Sequence, residues 1–177
     1  MTEPMLTGGA AVHRAYFAAE ALLPDGWARD VAIGVDRAGM IVSVQAGAAP
    51  HRAQTLAGPV VPGMVDVHSH AFQRAMAGLT ERAGPAGDSF WSWRRIMYDF
   101  MARLGPVEVE TIATQLYVEL LRHGYTSVAE FHYLHNDPAG AGYENPAELS
   151  ERIVEAAGSA GIGLTLLPVL YQSSGFG

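Results

Sequence analysis

Short apolar stretches alternate with turn residues along the first third of the chain. The apolar stretches are residues 16–23, 27–35 and 40–44. Pro24-Asp25-Gly26 and Asp36-Arg37-Ala38-Gly39 separate them, and such clusters of Pro, Asp and Gly mark turns between strands. The pattern predicts a small antiparallel β unit. Residues 47–58, which are rich in Ala, Gly and Pro and lack periodicity, are predicted to connect this unit to the rest of the chain.

Longer periodic segments follow this connector. Residues 60–68 are mostly apolar and end in polar residues, which predicts a strand. Residues 89–104 have apolar side chains at three- and four-residue spacing and predict a helix. A second helix is predicted to begin at Pro106, because Pro is favoured at the first helical position, and to end at Gly124. The apolar positions are Phe90, Trp93, Met97, Phe100 and Leu104 in the first helix and Val109, Ile112, Leu116 and Leu120 in the second.

Strands and helices continue to alternate beyond the second helix. Residues 126–134 and 162–171 are largely apolar and predict two further strands. Between them, Asn145-Pro146-Ala147-Glu148 has the N-cap residue, proline and reciprocal glutamate of a helix start, and this helix is predicted to reach about Ala157. An order of strand, helix, strand, helix, strand implies parallel strands that are covered by helices.

This alternation predicts an α/β fold. We expect about three β/α units, the first ones of a (β/α)8 TIM-type barrel, preceded by the small antiparallel β domain. Residues 1–58 are assigned to the β domain and its connector, and residues 59–177 to the N-terminal part of the barrel. Because a complete barrel takes about 200 to 250 residues or more, a barrel that is cut short is expected. A small self-contained α/β domain is the alternative.

Composition and charge narrow the class of protein. The 177 residues are 49% hydrophobic and 16% charged, which is typical of soluble globular proteins. The 18 acidic and 11 basic residues give a formal net charge of −7 without a cluster of Lys and Arg, so nucleic acid is not expected as a partner. Without cysteine, any metal site must use His and carboxylates. No signal sequence or membrane-length apolar run is present, and a cytoplasmic enzyme is expected.

One short motif has metal-binding chemistry. His68-Ser69-His70 lies at the end of the predicted strand 60–68, and residues two apart on a strand point to the same side. Two imidazoles that face one point can bind zinc at about 2.0 to 2.1 Å per nitrogen. The carboxyl end of a barrel strand is also where barrel enzymes have their catalytic groups. An isolated H-x-H motif is more often just two polar residues at a strand end, so its surroundings decide.

Those surroundings resemble a known family. Residues 62–74 (PGMVDVHSHAFQR) resemble the first-strand motif of the amidohydrolase superfamily, in which a small β unit also precedes the barrel. Within it, residues 89–94 (SFWSWR) and 129–135 (AEFHYLH) resemble the formimidoylglutamate deiminases, which are enzymes of histidine degradation. The resemblance covers nearly the whole chain from about Gly58 onward.

The resemblance implies a hydrolase with one zinc ion per active site. Such an enzyme converts N-formimidoyl-L-glutamate to N-formyl-L-glutamate and ammonia, and it is expected to be a homodimer at full length. His68 and His70 are its first two metal ligands. The third His ligand, the Asp ligand and the His that acts in proton transfer belong to the fifth, eighth and sixth strands. None of these strands is in this chain, so no catalytic residue is assigned within it, and the chain alone is expected to have little or no activity.

Three residues are expected to bind the small-molecule substrate. Gln73 follows the metal motif closely, and the resemblance implies that it contacts the substrate. Tyr133 lies near the end of the second barrel strand, where a phenol can donate to a substrate carboxylate. Arg94 is a candidate for bidentate pairing with a carboxylate. Spacing alone would suit the neighbouring Arg95 equally well, and the resemblance favours Arg94.

Other polar and aromatic residues are given structural roles. Residues 90–93, with Phe90, Trp91 and Trp93, are expected to pack a helix or a subunit contact. His132 and His135 are interpreted as structural or supporting residues, because strand alternation points His132 away from Tyr133. Asp66 shares the strand face of the two histidines and is placed beneath the metal. Residues 136–145 have the composition of a loop and are expected to shape the mouth of the substrate site.

Two other functions stay open at this point. One is a different deaminase of the same superfamily, acting on a nucleobase or a related amidine. The other is a non-catalytic binding module or relic that has kept the fold without the metal, against which the intact His68 and His70 argue.

Overall fold

A computed structural model of the chain describes residues 11–79 and 90–170. Within this range, only the backbone of Trp91 is described and not its side chain. Ser89 and Tyr171, predicted as the first residue of a helix and the last of a strand, lie outside the described residues. The chain divides into two compact units after Pro62. The assignment from the sequence divides after Gly58, and that domain assignment stays a prediction.

The first unit is a four-stranded sheet. Its strands are β1 (Arg14–Leu23), β2 (Gly26–Val35), β3 (Ile41–Gln45) and β4 (Gln54–Thr55), in the order β3-β2-β1-β4. The pairs β1–β2 and β2–β3 are antiparallel, which confirms the predicted β unit. The predicted connector was incomplete, because it contains β4, whose two residues pair parallel with Tyr16 and Phe17. Periodicity cannot reveal a strand this short.

Local side-chain bonds and burial explain this sheet. Asp36 closes the turn between β2 and β3, since its Oδ1 accepts from the backbone N–H of Ala38 at 2.8 Å and of Met40 at 2.9 Å. Ala18 and Val31 are fully buried and form the centre of a small core. Asp and Gly turns therefore set the strand ends, and alternating apolar residues set the buried face.

The second unit is built from β/α units. Its elements are β5 (Met64–Ser69), a 3-10 helix (Ala71–Met76), α1 (Phe90–Met101), α2 (Pro106–Arg122), β6 (Tyr125–His132), α3 (Glu148–Ala160) and β7 (Gly163–Pro168). The three strands form a parallel sheet in the order β5-β6-β7. This is the predicted α/β arrangement of parallel strands that are connected through helices.

The ends of the helices match the sequence signals only in part. α2 begins at Pro106, and the carboxylate of Glu108 accepts from the Gly105 N–H at 3.0 Å. The predicted start of α3 was wrong, because this helix begins at Glu148 and not directly after Asn145. Asn145 closes the preceding turn instead, since its Oδ1 accepts from the Ala147 N–H at 3.0 Å. An Asn side chain serves an Asx turn as well as an N-cap, and the sequence does not distinguish the two.

The core of this unit lies between α2, α3 and the sheet. Tyr117 and Val109 of α2, Leu149 and Ile153 of α3 and Val128 of β6 are almost fully buried. The predicted apolar face of α2 was incomplete: Val109 is buried and Ile112, Leu116 and Leu120 pack partly buried against the core, but the fully buried Ala113 and Tyr117 were not predicted. In α1 the prediction failed at Phe90, which is 60% exposed.

Gly63, directly before β5, permits a close approach of two strands. A Cβ atom at this position would lie 2.8 Å from the Cβ of Thr126 on β6 and still nearer to the other side-chain atoms of Thr126. No real side chain tolerates this separation, so a glycine is required here for β5 and β6 to pair in this register.

In the part of the chain that the structure describes, none of the helices is long and apolar enough to cross a bilayer.

Candidate active site

The candidate site lies where the parallel strands end. His68 is the second-last residue of β5, His70 directly follows this strand, and Tyr133 directly follows β6. The carboxyl ends of parallel strands meet at one edge of a sheet, so the topology brings these side chains to the same place. His68 is exposed and His70 is half-buried.

His68 and His70, named here the histidine pair, converge on one point. Their Nε2 atoms are 3.1 Å apart, and their rings meet edge to face with centroids 4.8 Å apart. The Nδ1 of His70 lies 2.8 Å from the backbone carbonyl oxygen of Phe131. Because a carbonyl oxygen only accepts, Nδ1 donates this hydrogen bond, and in the neutral imidazole the lone pair of His70 is therefore on Nε2, which is directed at the point of convergence.

This geometry is compatible with a shared metal ion. Two nitrogens that each lie about 2.0 to 2.1 Å from one zinc ion can be no more than about 4.2 Å apart, and the observed 3.1 Å satisfies that limit. Imidazole is also a suitable ligand type for zinc and its neighbours among the transition metals. Among residues 11–79 and 90–170, no group of three or more His, Cys, Asp or Glu side chains could hold a metal. The described residues therefore offer two ligands.

Two neighbours fix the exposed member of the histidine pair. The ring of Phe131 stacks on the His68 ring with centroids 5.6 Å apart and also meets the His70 ring edge-on at 5.4 Å. Asp66, which was placed beneath the metal, has a carboxylate oxygen 3.2 Å from the backbone N–H of His68 and accepts from it. Its carboxylate thus bonds the backbone of the metal motif itself.

Gln73 and Tyr133 lie together beside the histidine pair. The Gln73 Nε2 donates to the Tyr133 hydroxyl at 3.1 Å. The Tyr133 ring meets the His70 ring edge-on with centroids 4.9 Å apart and contacts the Phe72 ring at 5.4 Å. Two of the three predicted substrate-binding residues therefore contact each other, and one of them, Tyr133, also contacts His70. Their amide and phenol groups can orient a polar substrate there.

Arg94 contacts a neighbour on its own helix. It lies on α1, where its guanidinium donates to the Tyr98 hydroxyl at 2.6 Å from Nη2 and lies over the Tyr98 ring at 5.1 Å. Within the described residues, no hydrogen bond, ion pair or ring contact joins Arg94 to the histidine pair or to Gln73. Met97, one helical turn along α1, has its sulfur 3.9 Å from the Tyr133 hydroxyl. The helix that carries Arg94 therefore borders the site.

A cavity of about 740 Å³ opens beside Tyr133. It lies at the carboxyl ends of β6 and β7, and part of the loop 136–145 lines it, as expected for a loop on the site side. Its walls include Tyr98, Met101, Tyr133, His135, Asp137 and Val169. The space has the size of a small-molecule site.

His132 and His135 lie apart from the histidine pair. Their rings are 5.5 Å apart, and His135 Nε2 is 2.7 Å from the carbonyl oxygen of Val169 on the β7 side. His132 is only 3% exposed, and burial, assisted by the nearby His135, lowers the pKa of His132 to about 4. His132 is therefore neutral near physiological pH.

In the aromatic segment 90–93, Trp93 packs against the core, Phe90 is exposed, and the Trp91 side chain lies outside the described residues.

Glu130 was missed by the sequence reasoning. It is 1% exposed, and its Oε1 accepts from the backbone N–H of Ala71 at 2.7 Å while its Oε2 accepts from the Tyr117 hydroxyl at 3.3 Å. Burial raises the pKa of this carboxyl, although its hydrogen bonds oppose the shift. Burial also raises the pKa of Tyr117. A Glu inside the apolar run of β6 was the signal that could have identified it, because a buried carboxyl needs partners.

The 3-10 helix that follows the metal motif is also held by an ion pair. Arg74 donates to both carboxylate oxygens of Glu119 on α2, at 2.7 and 3.0 Å. The hydrogen bond from Arg74, together with one from Gln115, lowers the pKa of Glu119 to about 2. This bidentate contact fixes the position of the 3-10 helix that carries Gln73.

The sequence matches two family models. Residues 13–57 match the model described as "Formimidoylglutamate deiminase HutF, N-terminal domain", and residues 60–173 match the one described as "Amidohydrolase family". Together they cover most of the described chain.

Two curated relatives come from Pseudomonas aeruginosa. A formimidoylglutamate deiminase is 57% identical over 163 residues, which are 92% of this chain and 36% of that enzyme. An 8-oxoguanine deaminase is 31% identical over 100 residues, which are 56% of this chain and 20% of that enzyme. The chain thus spans little more than a third of the length of the first relative.

Solved structures share the fold. The crystal structure of an amidohydrolase from Brucella melitensis matches 93% of this chain and 37% of its own at 51% identity, with a TM-score of 0.85. Atrazine chlorohydrolase TrzN from Arthrobacter aurescens TC1, crystallised with zinc, matches 87% of this chain and 35% of its own at 19% identity, with a TM-score of 0.60. These neighbours are TIM barrels that the chain covers in part, which confirms the predicted fold class.

Proposed function

This chain belongs to the amidohydrolase family, and from that membership we propose that it forms part of an enzyme that hydrolyses N-formimidoyl-L-glutamate to N-formyl-L-glutamate and ammonia. The observation that carries the proposal is the 3.1 Å approach of the His68 and His70 Nε2 atoms beside Gln73 and Tyr133. The 57% identity to a formimidoylglutamate deiminase supports this substrate. The chain's part in histidine degradation follows from that substrate.

His68 and His70 are proposed as two ligands of one zinc ion per active site. Zinc, when bound, would lower the pKa of a coordinated water and stabilise negative charge that develops on the substrate. The chain's own contribution is orientation. The backbone carbonyl oxygen of Phe131 accepts a hydrogen bond from His70 Nδ1, so that in the neutral imidazole Nε2 is the nitrogen available to a metal, and the Phe131 ring limits the rotation of both imidazoles.

Gln73, Tyr133 and Arg94 are proposed to bind the substrate. Gln73 and Tyr133, hydrogen-bonded to each other beside His70, are placed to hold the formimidoyl end. Arg94, on the helix that borders the site, is suited to a carboxylate of the glutamate end because a guanidinium pairs with carboxylates in bidentate fashion. Since Arg94 donates to Tyr98 here, we propose that the substrate carboxylate competes for that guanidinium.

The reaction is a hydrolysis. An oxygen from water bonds to the formimidoyl carbon, the bond from that carbon to the terminal nitrogen breaks, and ammonia leaves with the protons that complete it. The groups that move these protons are not assigned within this chain. The polar groups that it does supply bind and orient, and they gain strength as bound substrate excludes water from the cavity beside Tyr133.

A deaminase acting on a nucleobase is the second candidate. The 31% identity to an 8-oxoguanine deaminase favours it, although that match covers only 56% of the chain. A relic without metal is a weaker alternative, since both histidines are oriented to bind. We further propose a cytoplasmic homodimer that acts on a small molecule.

A substrate comparison separates the two deaminase candidates. With the protein at its natural full length and zinc present, we expect ammonia release from N-formimidoyl-L-glutamate to exceed that from 8-oxoguanine by at least about 10³-fold in kcat/KM, because a site with groups placed for one polar substrate rejects others strongly. A coupled glutamate dehydrogenase assay measures both rates. Preferential release from 8-oxoguanine would transfer the proposal to the second candidate.

A further inference from the structure

We propose that Glu130 is a positioning residue for the metal ligand His70, because it bonds the backbone directly after His70 and pairs with the strand residue directly before it. This inference rests on the proposed metal site, because it concerns how one of the two proposed ligands is held. Glu130 itself contacts neither substrate nor metal in this role. It acts through Ser69, Ala71 and the fold around them.

The geometry places Glu130 across the residues that flank His70. Its Oε1 accepts from the Ala71 N–H at 2.7 Å, and Ser69 is the residue of β5 that pairs with Glu130 in the parallel β5–β6 ladder. Ser69 precedes and Ala71 follows His70, so Glu130 lies beside the chain immediately before the ligand and its carboxyl restrains the chain immediately after it. Glu130, its ladder partner Ser69 and its hydrogen-bond donor Ala71 are named here the Glu130 clamp.

His70 needs such support because the strand does not supply it. β5 ends at Ser69, and His70 has φ −130° and ψ 83°, between the strand and the 3-10 helix. The imidazole is held by Phe131, the residue after Glu130 on β6. Two consecutive residues of β6 therefore fix His70, one through its ring and the other through its backbone neighbours.

Burial makes the Glu130 clamp specific. Ser69, Ala71 and Glu130 are all buried, and the second carboxylate oxygen of Glu130, which takes no part in the bond to Ala71, accepts from the Tyr117 hydroxyl of α2. An apolar residue at position 130 would leave the Ala71 N–H buried without its acceptor, and an unsatisfied buried donor is costly. The segment that carries His70 would then have to shift to find another partner.

The test compares four variants in the protein at its natural full length. Glu130→Leu removes the acceptor, Glu130→Asp shortens it by one methylene, and Glu130→Gln keeps an oxygen that can accept from Ala71. Tyr117→Phe is the control, because it removes the other hydrogen bond of Glu130 while leaving the Glu130 clamp in place. Zinc affinity is measured by competition with a chromophoric chelator, and the cobalt-substituted proteins are compared by their visible absorption. Thermal unfolding of the metal-free proteins reports stability separately.

We expect Glu130→Leu to weaken zinc binding about 10- to 100-fold, in the range seen when a supporting residue of a metal ligand is lost. Glu130→Asp should lie between Leu and wild type, and Glu130→Gln should restore most of the affinity and the cobalt spectrum. Tyr117→Phe should lower the melting temperature while leaving zinc affinity near wild type. If Glu130→Leu does not fold, the order of Asp and Gln decides by itself.

Three results would overturn the inference. They are a folded Glu130→Leu with wild-type zinc affinity, equal affinities for Asp and Gln, and a Tyr117→Phe variant that loses as much zinc affinity as Glu130→Leu, since this last result would indicate general loss of packing. A wild-type protein that binds no zinc would instead remove the proposed metal site itself, and the inference with it.

Discussion

Replacing His70 with Ala is expected to reduce kcat for N-formimidoyl-L-glutamate by more than about 10³-fold, because the reaction would lose the metal that activates water and stabilises charge. His70 is the more firmly held member of the histidine pair, with Nδ1 bonded to Phe131 and Nε2 3.1 Å from the Nε2 of His68. Removing it leaves His68 alone among the described ligands. Steady-state kinetics and the zinc content of the purified protein measure the effect.

His123 provides a matched control for this substitution. It is exposed at the end of α2, where its Nδ1 bonds the carbonyl oxygen of Glu119, and it has no contact with the histidine pair. His123→Ala should keep both zinc and kcat. A His70→Ala protein that retains full zinc content and turnover would show that these imidazoles are not the metal ligands.

Replacing Arg94 with Leu is expected to raise KM for the same substrate about 30- to 100-fold with a smaller change in kcat, since losing one partner of a charge pair costs about 2 to 3 kcal/mol. This free-energy cost is at the lower end of the range for buried charge pairs, because Arg94 is only half-buried. The proposed cause is the lost guanidinium–carboxylate pair. Initial rates over a wide substrate range give KM and kcat separately.

Arg95 allows a direct comparison at the neighbouring position. It is exposed on α1, and the sequence alone could not choose between it and Arg94. Arg95→Leu should leave KM unchanged. The Arg94→Leu effect should also vanish with an amidine substrate that lacks carboxylates. Equal effects of the two substitutions, or an unchanged KM in Arg94→Leu, would contradict the role of Arg94 in carboxylate binding.

The alternation of elements was predictable because it depends on local chemistry. Pro106 and Gly124 bracket α2, and the Asp and Gly turns separate β1, β2 and β3. The convergence of His68 and His70 followed from the two-residue period of a strand, even though His70 proved to lie just beyond β5. Properties that depend on nearest neighbours in sequence are readable without a structure.

Features that depend on distant neighbours were not predictable. The buried role of Glu130 requires Ala71 and Tyr117, which lie 59 and 13 residues away in sequence. The complete burial of Ala113 beside a partly buried Ile112 depends on how α2 meets its neighbours. Asn145 had two local uses, and the packing of α3 selected the turn. Long-range packing decided each of these cases, and no local pattern encodes it.

Ammonia release during a zinc titration tests the central claim most directly. The protein at its natural full length is stripped with a chelator and given N-formimidoyl-L-glutamate, and zinc is then added in steps. We predict that ammonia and N-formyl-L-glutamate form in equal amounts, at a rate that rises with zinc and saturates at one ion per chain. Release that is just as fast without zinc, or no release from this substrate at any zinc concentration, would contradict the account.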